Sequence, residues 1–266
     1  GIGIGDFDRD GTLDPVAANL GNGTVTVYPN LSSPSISVEG DSLITNSESN
    51  PVPIGSTPPG TNLTATFTVK NTGGVPLEIN GLSVDNADFY NVSSSALPGT
   101  IPVGESETLT VELRATNEGE YATDILIDSN DPETSSFSFP VTGRVEPLQV
   151  ERSVPNRNAL RVDTSLSEIT VTFNAPLDPA TVGPNRVQVL GDQSGPISEM
   201  DGSIAVNGET LTFEPKGRFQ PGEHIRVRIS SQVASGSGVR LEAGHVLSFR
   251  ATAEAADPLF VRDKIG

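Results

Sequence analysis

The sequence predicts an all-β protein of the sandwich or barrel type. Apolar and polar residues alternate in short segments through much of the chain, which is typical of strands that bury one face. Glycine and proline, with 27 and 21 of the 266 residues, separate these segments as turn residues. Helical spacing of apolar residues extends over a turn or two at most. Regular short strands between turns favour sandwiches or barrels. The clearest alternating segments are 63–70, 109–113, 137–141, 169–173 and 225–229.

Turn residues also divide the chain into parts. The junction at 144–147 is short, and a short linker favours a semi-rigid rod over freely moving domains. The chain begins with glycine rather than methionine, so we expect a segment of a longer protein. The predicted parts are an acidic loop with a strand over 1–33, a sandwich over 34–145, a second sandwich over 146–253 and the start of a further module over 254–266.

The acidic loop makes the most definite chemical prediction. Carboxylates lie at Asp6, Asp8, Asp10 and Asp14, with a glycine directly after the third. In an EF-hand loop the ligands fall at positions 1, 3, 5, 7 and 9, with glycine at 6 and a bidentate glutamate at 12. Position 12 counted from Asp6 is alanine, so this is a shortened calcium loop that Asp14 closes. The predicted Ca²⁺ ligands are Asp6, Asp8, Asp10, Asp14 and the backbone carbonyl of Thr12.

The loop and the strand after it, GDFDRDGTLDPVA at 5–17 and TVTVY at 24–28, resemble the FG-GAP/VCBS repeat. The resemblance implies one blade of a β-propeller, in which Ca²⁺ stiffens the blade and takes no part in catalysis. One blade cannot bury both of its faces, so neighbouring repeats of the same chain are predicted partners. The alternative is an acidic β-turn without a metal. Four carboxylates within nine residues repel one another without a cation, which favours the calcium loop.

Residues 34–145 contain an ordered series of strand and turn motifs, which are FTVKNTGGVPL at 67–77, ADF at 87–89, IPVGES at 101–106, GEY at 119–121, IDSNDP at 127–132 and VTG at 141–143. Their order resembles the choice-of-anchor D domain of bacterial surface proteins, which is related to the Hydin/ASH immunoglobulin-like (Ig-like) modules. The resemblance implies a seven-stranded Ig-like sandwich with an architectural, extracellular role. The sequences at 71–74 and 130–132 are predicted turns, because Asn, Gly and Pro favour turn conformations.

Residues 147–253 contain a second series of motifs, which are ITVTFNAPLDPATV at 169–182, LTFEP at 211–215, FQPGE at 219–223 and IRVRI at 225–229. This series resembles the SbsA-type bacterial Ig-like domain. The resemblance implies a second Ig-like sandwich that acts as a spacer or binding module in a surface protein. Within it, residues 178–182 are predicted to form one helical turn, with Asp178 as the N-cap and Pro179 at the first position.

Composition argues against several classes of protein. Acidic residues number 34 against 16 basic ones, giving a formal charge of -18, which disfavours nucleic acids and anionic membranes as partners. No apolar run approaches the roughly 20 residues that span a bilayer, so no membrane insertion is predicted. Without cysteine, neither disulfides nor thiolate zinc sites can form. With no tryptophan and three tyrosines, the sequence offers few aromatic platforms for sugars.

The remaining polar groups are predicted to be structural. His224 and His245 lie in strand or turn contexts without a convergent acid, so neither is predicted to be catalytic or a metal ligand. The carboxylate pairs at 105/107 and 118/120 are predicted to lie on the solvated surface rather than in a glycosidase cleft. Two acidic runs are either turn caps or weak second calcium sites, with turn caps favoured, namely 85–88 and 128–131.

The sequence therefore predicts a non-catalytic segment of a large secreted or cell-surface bacterial protein. Its role would be that of a spacer or adhesion stalk, with structural Ca²⁺ in the N-terminal loop and an unidentified protein or glycan ligand at the cell surface. One alternative is an accessory region of an extracellular hydrolase whose catalytic domain lies outside this segment. Another is a ciliary or cytoskeletal scaffold, which the calcium loop disfavours because that setting is intracellular.

Overall fold

The fold is all-β, as the sequence predicts. The chain forms two compact units, and the main boundary between them lies between Arg144 and Val145. The computed structural model describes residues 1–7, 13–30, 33–114, 116–197 and 202–253.

A three-stranded antiparallel sheet lies at the amino end of the first unit. It consists of β1 (Ile2–Gly5), β2 (Asp14–Asn19) and β3 (Thr24–Val27), in that order. The turn from β2 to β3 contains Gly23, whose φ of 69° is a conformation that glycine adopts without strain. The strand predicted after the acidic loop is thus confirmed as β3.

Both faces of this sheet expose apolar side chains. Ile4 pairs with Pro15 on one face, and Val25 pairs with Ala18 on the other. Ile4 is 69% exposed and Val25 is 66% exposed. A sheet that is apolar on both faces needs a packed layer on each side to remove these groups from water. The assignment of this sheet as a propeller blade stays a prediction.

The rest of the first unit is a sandwich of two five-stranded sheets. One sheet contains β6 (Val52–Thr57), β8 (Leu77–Val84), β10 (Gly99–Ile101), β12 (Gly119–Ser129) and β13 (Ser136–Val145). The other contains β4 (Ile36–Glu39), β5 (Leu43–Ile44), β7 (Leu63–Asn71), β9 (Tyr90–Ser93) and β11 (Ser106–Leu113). The first has the order β10-β8-β12-β13-β6 and the second the order β5-β4-β7-β11-β9.

Period-two alternation builds the core of this sandwich. Leu109, Val111 and Leu113 on β11 are fully buried, while the residues between them are only partly buried. Phe67 on β7 and Phe139 on β13 pack edge to face across the two sheets, with ring centroids 5.1 Å apart. Each fully buried side chain of this size contributes about 1.5–3 kcal/mol through the hydrophobic effect. The alternation predicted from sequence is therefore confirmed.

The turn after β7 uses the predicted asparagine and glycine. Asn71 is buried, and its Oδ1 accepts the backbone N–H of Gly73 at 2.9 Å. Its Nδ2 donates to the backbone carbonyls of Val75 and Ile101. A Cβ on Gly73 would lie 2.5 Å from the backbone nitrogen of Ser35, so only glycine fits there. This turn prediction is confirmed.

The second unit is also a sandwich of two sheets. One sheet contains β14 (Val150–Val154), β16 (Ile169–Phe173), β19 (Gly202–Asn207) and β20 (Thr210–Pro215), in the order β14-β16-β20-β19. The other contains β15 (Ala159–Val162), β17 (Val187–Gly191), β18 (Gly195–Pro196), β21 (His224–Ile229) and β22 (His245–Ala251). Its order is β15-β22-β21-β17-β18, and β15 pairs with β22 in parallel.

Aromatic and branched residues from both sheets fill the core of the second unit. Phe173, Phe213 and Phe249 are among its largest buried side chains. Phe219, from the loop before β21, packs edge to face on Phe249 with ring centroids 5.8 Å apart. This geometry is the favoured one for aromatic pairs.

The predicted helical turn is present as a 3-10 helix at Pro179–Thr181. Asp178 is its N-cap, and the Asp178 carboxylate accepts the backbone N–H of Ala180 at 2.9 Å. Proline fits the first position because its missing N–H has no helical partner there. The N-cap and the proline position are both as predicted.

Gly202→Ala should destabilise the second unit, because the added Cβ would overlap the ring of Phe213, which is fully buried in the core. Overpacking of this kind costs about 1–3 kcal/mol in the free energy of unfolding. Gly217→Ala is the matched control, since a Cβ there meets nothing within 4 Å. Urea unfolding of both variants measures the difference, and equal stabilities would contradict this packing.

Candidate metal-binding loop and buried carboxylates

The acidic loop joins β1 to β2. These strands pair as far as Gly5 opposite Asp14, so the loop begins and ends on neighbouring strands. Phe7 packs back on β1, since a Cβ on Gly5 would lie 2.9 Å from the Phe7 ring. A loop closed at its base brings together side chains from its two ends, as a chelating loop requires.

Asp14 is the best-defined of the predicted ligands. It is fully buried, and its carboxylate oxygens accept the backbone N–H groups of Phe7 at 2.8 Å and Asn30 at 2.7 Å. Such bonds offset the cost of burying a carboxylate. A carboxylate offers about four acceptor positions, so two bonds leave lone pairs that could bind a cation. Asp14 therefore links the loop to the segment after β3, and its chemistry also fits the closing ligand of a calcium loop.

The structure describes one of the other four predicted ligands. Asp6 is exposed at the start of the loop, whereas Asp8, Asp10 and Thr12 lie outside the described residues. Within the described ranges, no three or more histidines, aspartates and glutamates form a group that could hold a metal. Carboxylates and a backbone carbonyl are donors that suit a hard cation such as Ca²⁺. The calcium site stays a prediction.

Asp131 is a buried carboxylate with a structural role. One oxygen accepts the backbone N–H of Ile36, 95 positions away, at 2.8 Å, and the other accepts those of Glu133 and Thr134 at 2.9 and 3.1 Å. Asp131 thus forms the turn between β12 and β13 and ties it to the start of β4. Three backbone N–H groups donate to this carboxylate and explain why it is buried. This favours the turn-cap interpretation of the run at 128–131 over a second calcium site.

Glu223 has the same role in the second unit. It is fully buried just before β21, and its Oε1 accepts the backbone N–H groups of Gln193 and Ser194 at 3.1 and 2.7 Å. Its Oε2 accepts the backbone N–H of Gln220 at 2.9 Å and the hydroxyl of Ser194 at 3.2 Å. A Cβ on Gly191 would overlap the Glu223 carboxylate, so glycine is required on the facing strand. Glu223 therefore holds the hairpin after β17 against the loop before β21.

The two histidines lie far from each other. They occupy opposite ends of the β21–β22 pair, where His224 faces Arg250 and His245 faces Ile229. Five residues along a strand span about 17 Å. Burial and, to a lesser extent, the nearby charge of Arg157 lower the pKa of His245. Its surroundings therefore favour the neutral form of the imidazole.

The remaining candidate carboxylates lie at the surface. Glu105, Glu118 and Glu120 are exposed and Glu107 is partly buried. The carboxylates of the run 85–88 are exposed as well. These positions agree with the predicted solvated surface. In the ranges that the structure describes, no helix is long and apolar enough to cross a membrane.

Two family models match the chain. Residues 144–251 match the bacterial Ig-like domain, and residues 47–142 match the HYDIN/CFA65/VesB-like Ig-like domain. The two matched ranges cover most of the two sandwiches, so each sandwich is similar to an Ig-like domain. No curated protein sequence matches the chain.

Several solved structures are similar to parts of the chain. A protein of unknown function from Porphyromonas gingivalis W83 is 15% identical, with a TM-score of 0.35, over 50% of this chain and 62% of that protein. The ASH/PapD-like domain 7 of human CEP192 is 12% identical, with a TM-score of 0.32, over 43% of this chain and 87% of that domain. The Vibrio cholerae VesB protease is 15% identical, with a TM-score of 0.28, over 50% of this chain and 41% of the protease. The chain thus spans less than two thirds of the Porphyromonas gingivalis protein and of the VesB protease.

Reasoning from sequence alone favoured a turn cap in the run that contains Asp131, but it missed the bond of Asp131 to Ile36 and the role of Glu223. Both residues follow a proline- or asparagine-containing turn sequence, Asn130-Asp131-Pro132 and Pro221-Gly222-Glu223. An acidic residue inside such a turn is a signal for a carboxylate that caps backbone donors. Their hydrogen-bond donors in distant segments can be identified only from the three-dimensional structure.

Asp131→Ala should destabilise the first unit by about 3 kcal/mol, because the buried backbone N–H of Ile36 and the partly buried ones of Glu133 and Thr134 lose their acceptor. Asp128→Ala removes an exposed carboxylate three residues earlier and should change the free energy of unfolding by less than about 0.5 kcal/mol. Chemical denaturation of both variants measures the two values. A loss at Asp131 no larger than at Asp128 would show that the capping bonds do not stabilise the unit.

Proposed function

We propose that this chain is a non-catalytic segment of a larger secreted or cell-surface bacterial protein and acts as a spacer or adhesion stalk. The two matched Ig-like domain types support a modular role of this kind. Neighbouring repeats of the same polypeptide would cover the apolar faces of the N-terminal sheet, where Ile4 and Val25 are exposed. A protein or glycan at the cell surface would be the ligand of the stalk.

The parallel pair of β15 and β22 is the observation that carries the spacer proposal. The pair joins a strand near the amino end of the second unit to the last strand that the structure describes there. Its backbone bonds include Asn158 N–H to the Ser248 carbonyl at 2.6 Å and Thr252 N–H to the Val162 carbonyl at 2.7 Å. Tension that reaches β15 through β14, and β22 from the carboxyl end, pulls these two parallel strands past each other, so their bonds are loaded together rather than one after another. This arrangement suits a domain that bears force along the chain.

Thr252→Pro tests the load-bearing pair, because proline lacks both the N–H and the hydroxyl that Thr252 donates to the Val162 carbonyl. Loss of these two bonds should lower the free energy of unfolding of the second unit by about 1–3 kcal/mol. In single-molecule pulling of the full chain, we expect a lower unfolding force for the second unit and an unchanged force for the first. Thr252→Ser keeps the donor and is the control. An unchanged force in Thr252→Pro would contradict the load-bearing role.

Calcium in the N-terminal loop is the second part of the proposal. Asp14 supports it, because its buried carboxylate lies at the closed base of the loop and has more acceptor positions than its two bonds to described residues use. Asp6, Asp8 and Asp10 would supply further carboxylate ligands, and Thr12 a backbone carbonyl. The bound cation would neutralise the carboxylates and stiffen the connection between β1 and β2. Its role would be structural.

Calorimetric titration of the full chain should detect one Ca²⁺ site that Asp8→Ala removes, because the loop loses one of its few carboxylate ligands. Asp41→Ala removes an exposed carboxylate between β4 and β5 and should leave binding unchanged. At a Ca²⁺ concentration about 100 times Kd, binding stabilises the loop region by about 2.7 kcal/mol, which EDTA should abolish. Equal binding by both variants, or no binding by the parent chain, would refute the calcium loop.

An accessory region of an extracellular hydrolase is the second candidate. It is favoured by the match of residues 47–142 to a family whose description includes VesB, since the solved VesB is a protease. The complete parent polypeptide distinguishes the two candidates. Further repeats with a sorting signal would favour the stalk, whereas a catalytic domain would favour the accessory region.

A further inference from the structure

Positive charge is concentrated in the second half of this acidic chain. Residues 1–144 contain nineteen acidic and four basic side chains, whereas residues 145–266 contain fifteen acidic and twelve basic ones. An anion is therefore repelled strongly by the first half and much less by the second. The placement of the basic side chains in the second unit decides where an anion could bind.

Several of these basic side chains share the outer face of one sheet. On β21, buried apolar residues alternate with His224, Arg226 and Arg228, which point away from the core. Arg250 on β22 lies opposite His224 on the same face. All three arginines are exposed. These four residues are called the arginine face below.

The arginine face has little compensation from acidic side chains among the described residues. The ion pair formed within the described ranges joins Arg114 to Glu112 in the first unit. Beside the face, the Asp192 carboxylate accepts the backbone N–H of His224 at 3.0 Å. Arg226 and Arg228 lie two residues apart on β21, so their like charges repel each other weakly across the exposed face. An anion bound on this face would relieve that repulsion.

A shallow cavity lies at the His224 end of the arginine face. Its volume is about 260 Å³, and its lining includes His224, Arg250, Asn158 and Ser248. These side chains supply a cation and several hydrogen-bonding groups to one small space. Leu160, which is 75% exposed, forms an apolar part of the same wall.

A second shallow cavity lies at the Arg228 end. Its volume is about 290 Å³, and its lining includes Arg228, Arg186, Gln188 and His245. Val246, which is 46% exposed, adds an apolar surface. The two cavities thus repeat one combination, in which arginine, histidine and amide groups surround an exposed aliphatic side chain.

Arg226 lies on β21 between the two cavities. The outward positions of a strand are about 6.6 Å apart, so the cavities are separated by about 13 Å with a cation midway. A row of this length with repeated binding groups fits an extended polymer better than a single small anion. The exposed Leu160 and Val246 could contact the C–H faces of sugar rings.

We propose that the arginine face binds a linear acidic polysaccharide, with carboxylate or sulfate groups on the arginines and sugar rings in the two cavities. A single-stranded nucleic acid is disfavoured because it requires aromatic side chains for base stacking. The three tyrosines all lie before residue 145, the chain has no tryptophan, and Phe249 is only 1% exposed. This proposal does not depend on the spacer role or on the calcium loop.

The test measures binding of the full chain to oligogalacturonate and to dextran sulfate at low ionic strength, with neutral dextran as a blank. The double variant Arg226→Gln/Arg228→Gln should weaken binding of the preferred polymer about tenfold. Arg152→Gln/Arg218→Gln is the matched control, because it removes the same charge from β14 and from the loop before β21. The control should bind within about twofold of the parent chain.

Exposed arginines can be replaced without disturbing the core, so melting curves of both double variants should match the parent. If the first pair proves unstable, Arg250→Gln tests the same face at the other cavity. Equal weakening by both double variants would show a general charge effect and overturn the proposal. Tighter binding of polythymidylate or polyglutamate than of either polysaccharide would overturn it too, as would no binding of either polysaccharide.

Discussion

Buried carboxylates that accept several backbone N–H groups are the interaction on which the order of this structure depends. Asp131 and Glu223 each hold three backbone donors, and Asp14 holds two. A carboxylate taken out of water without such partners would cost several kcal/mol. With them, each becomes a cross-link between segments that are distant in sequence. Asp131 joins segments 95 positions apart, and Glu223 joins segments about 30 positions apart.

These cross-links explain how the chain orders its turns without cysteine. Hydrophobic burial between the sheets stabilises the strands, but it does not by itself fix the loops at the ends of a sandwich. The carboxylates do so, because a backbone N–H that points inward must find an acceptor. Asp131 also accounts in this way for an acidic run that, in sequence, resembles a weak calcium site. The basic residues are arranged differently, since the arginine face lies on the solvent side of a sheet and its charges remain available to a ligand.

Local patterns predicted much of the fold, because each depends on neighbours in sequence. Alternation on β11 and β21 identified strands and their buried faces, and Asp178 with Pro179 identified the 3-10 turn. The same alternation places Arg226 and Arg228 on one face. Contacts across strands were not predictable in this way. Arg250 joins that face only through the register of β22 on β21, and the Asp131 bond to Ile36 requires the complete sandwich.

The most direct test of this account is native-state hydrogen exchange of the amides that donate to the buried carboxylates. The Ile36 and Ser194 amides lie 2.8 and 2.7 Å from the carboxylate oxygens of Asp131 and Glu223. If these bonds hold the ends of the sandwiches, both amides should exchange only through unfolding of their whole unit, as slowly as central strand amides. Exchange of either amide at the rate of an open, solvated loop would contradict the account.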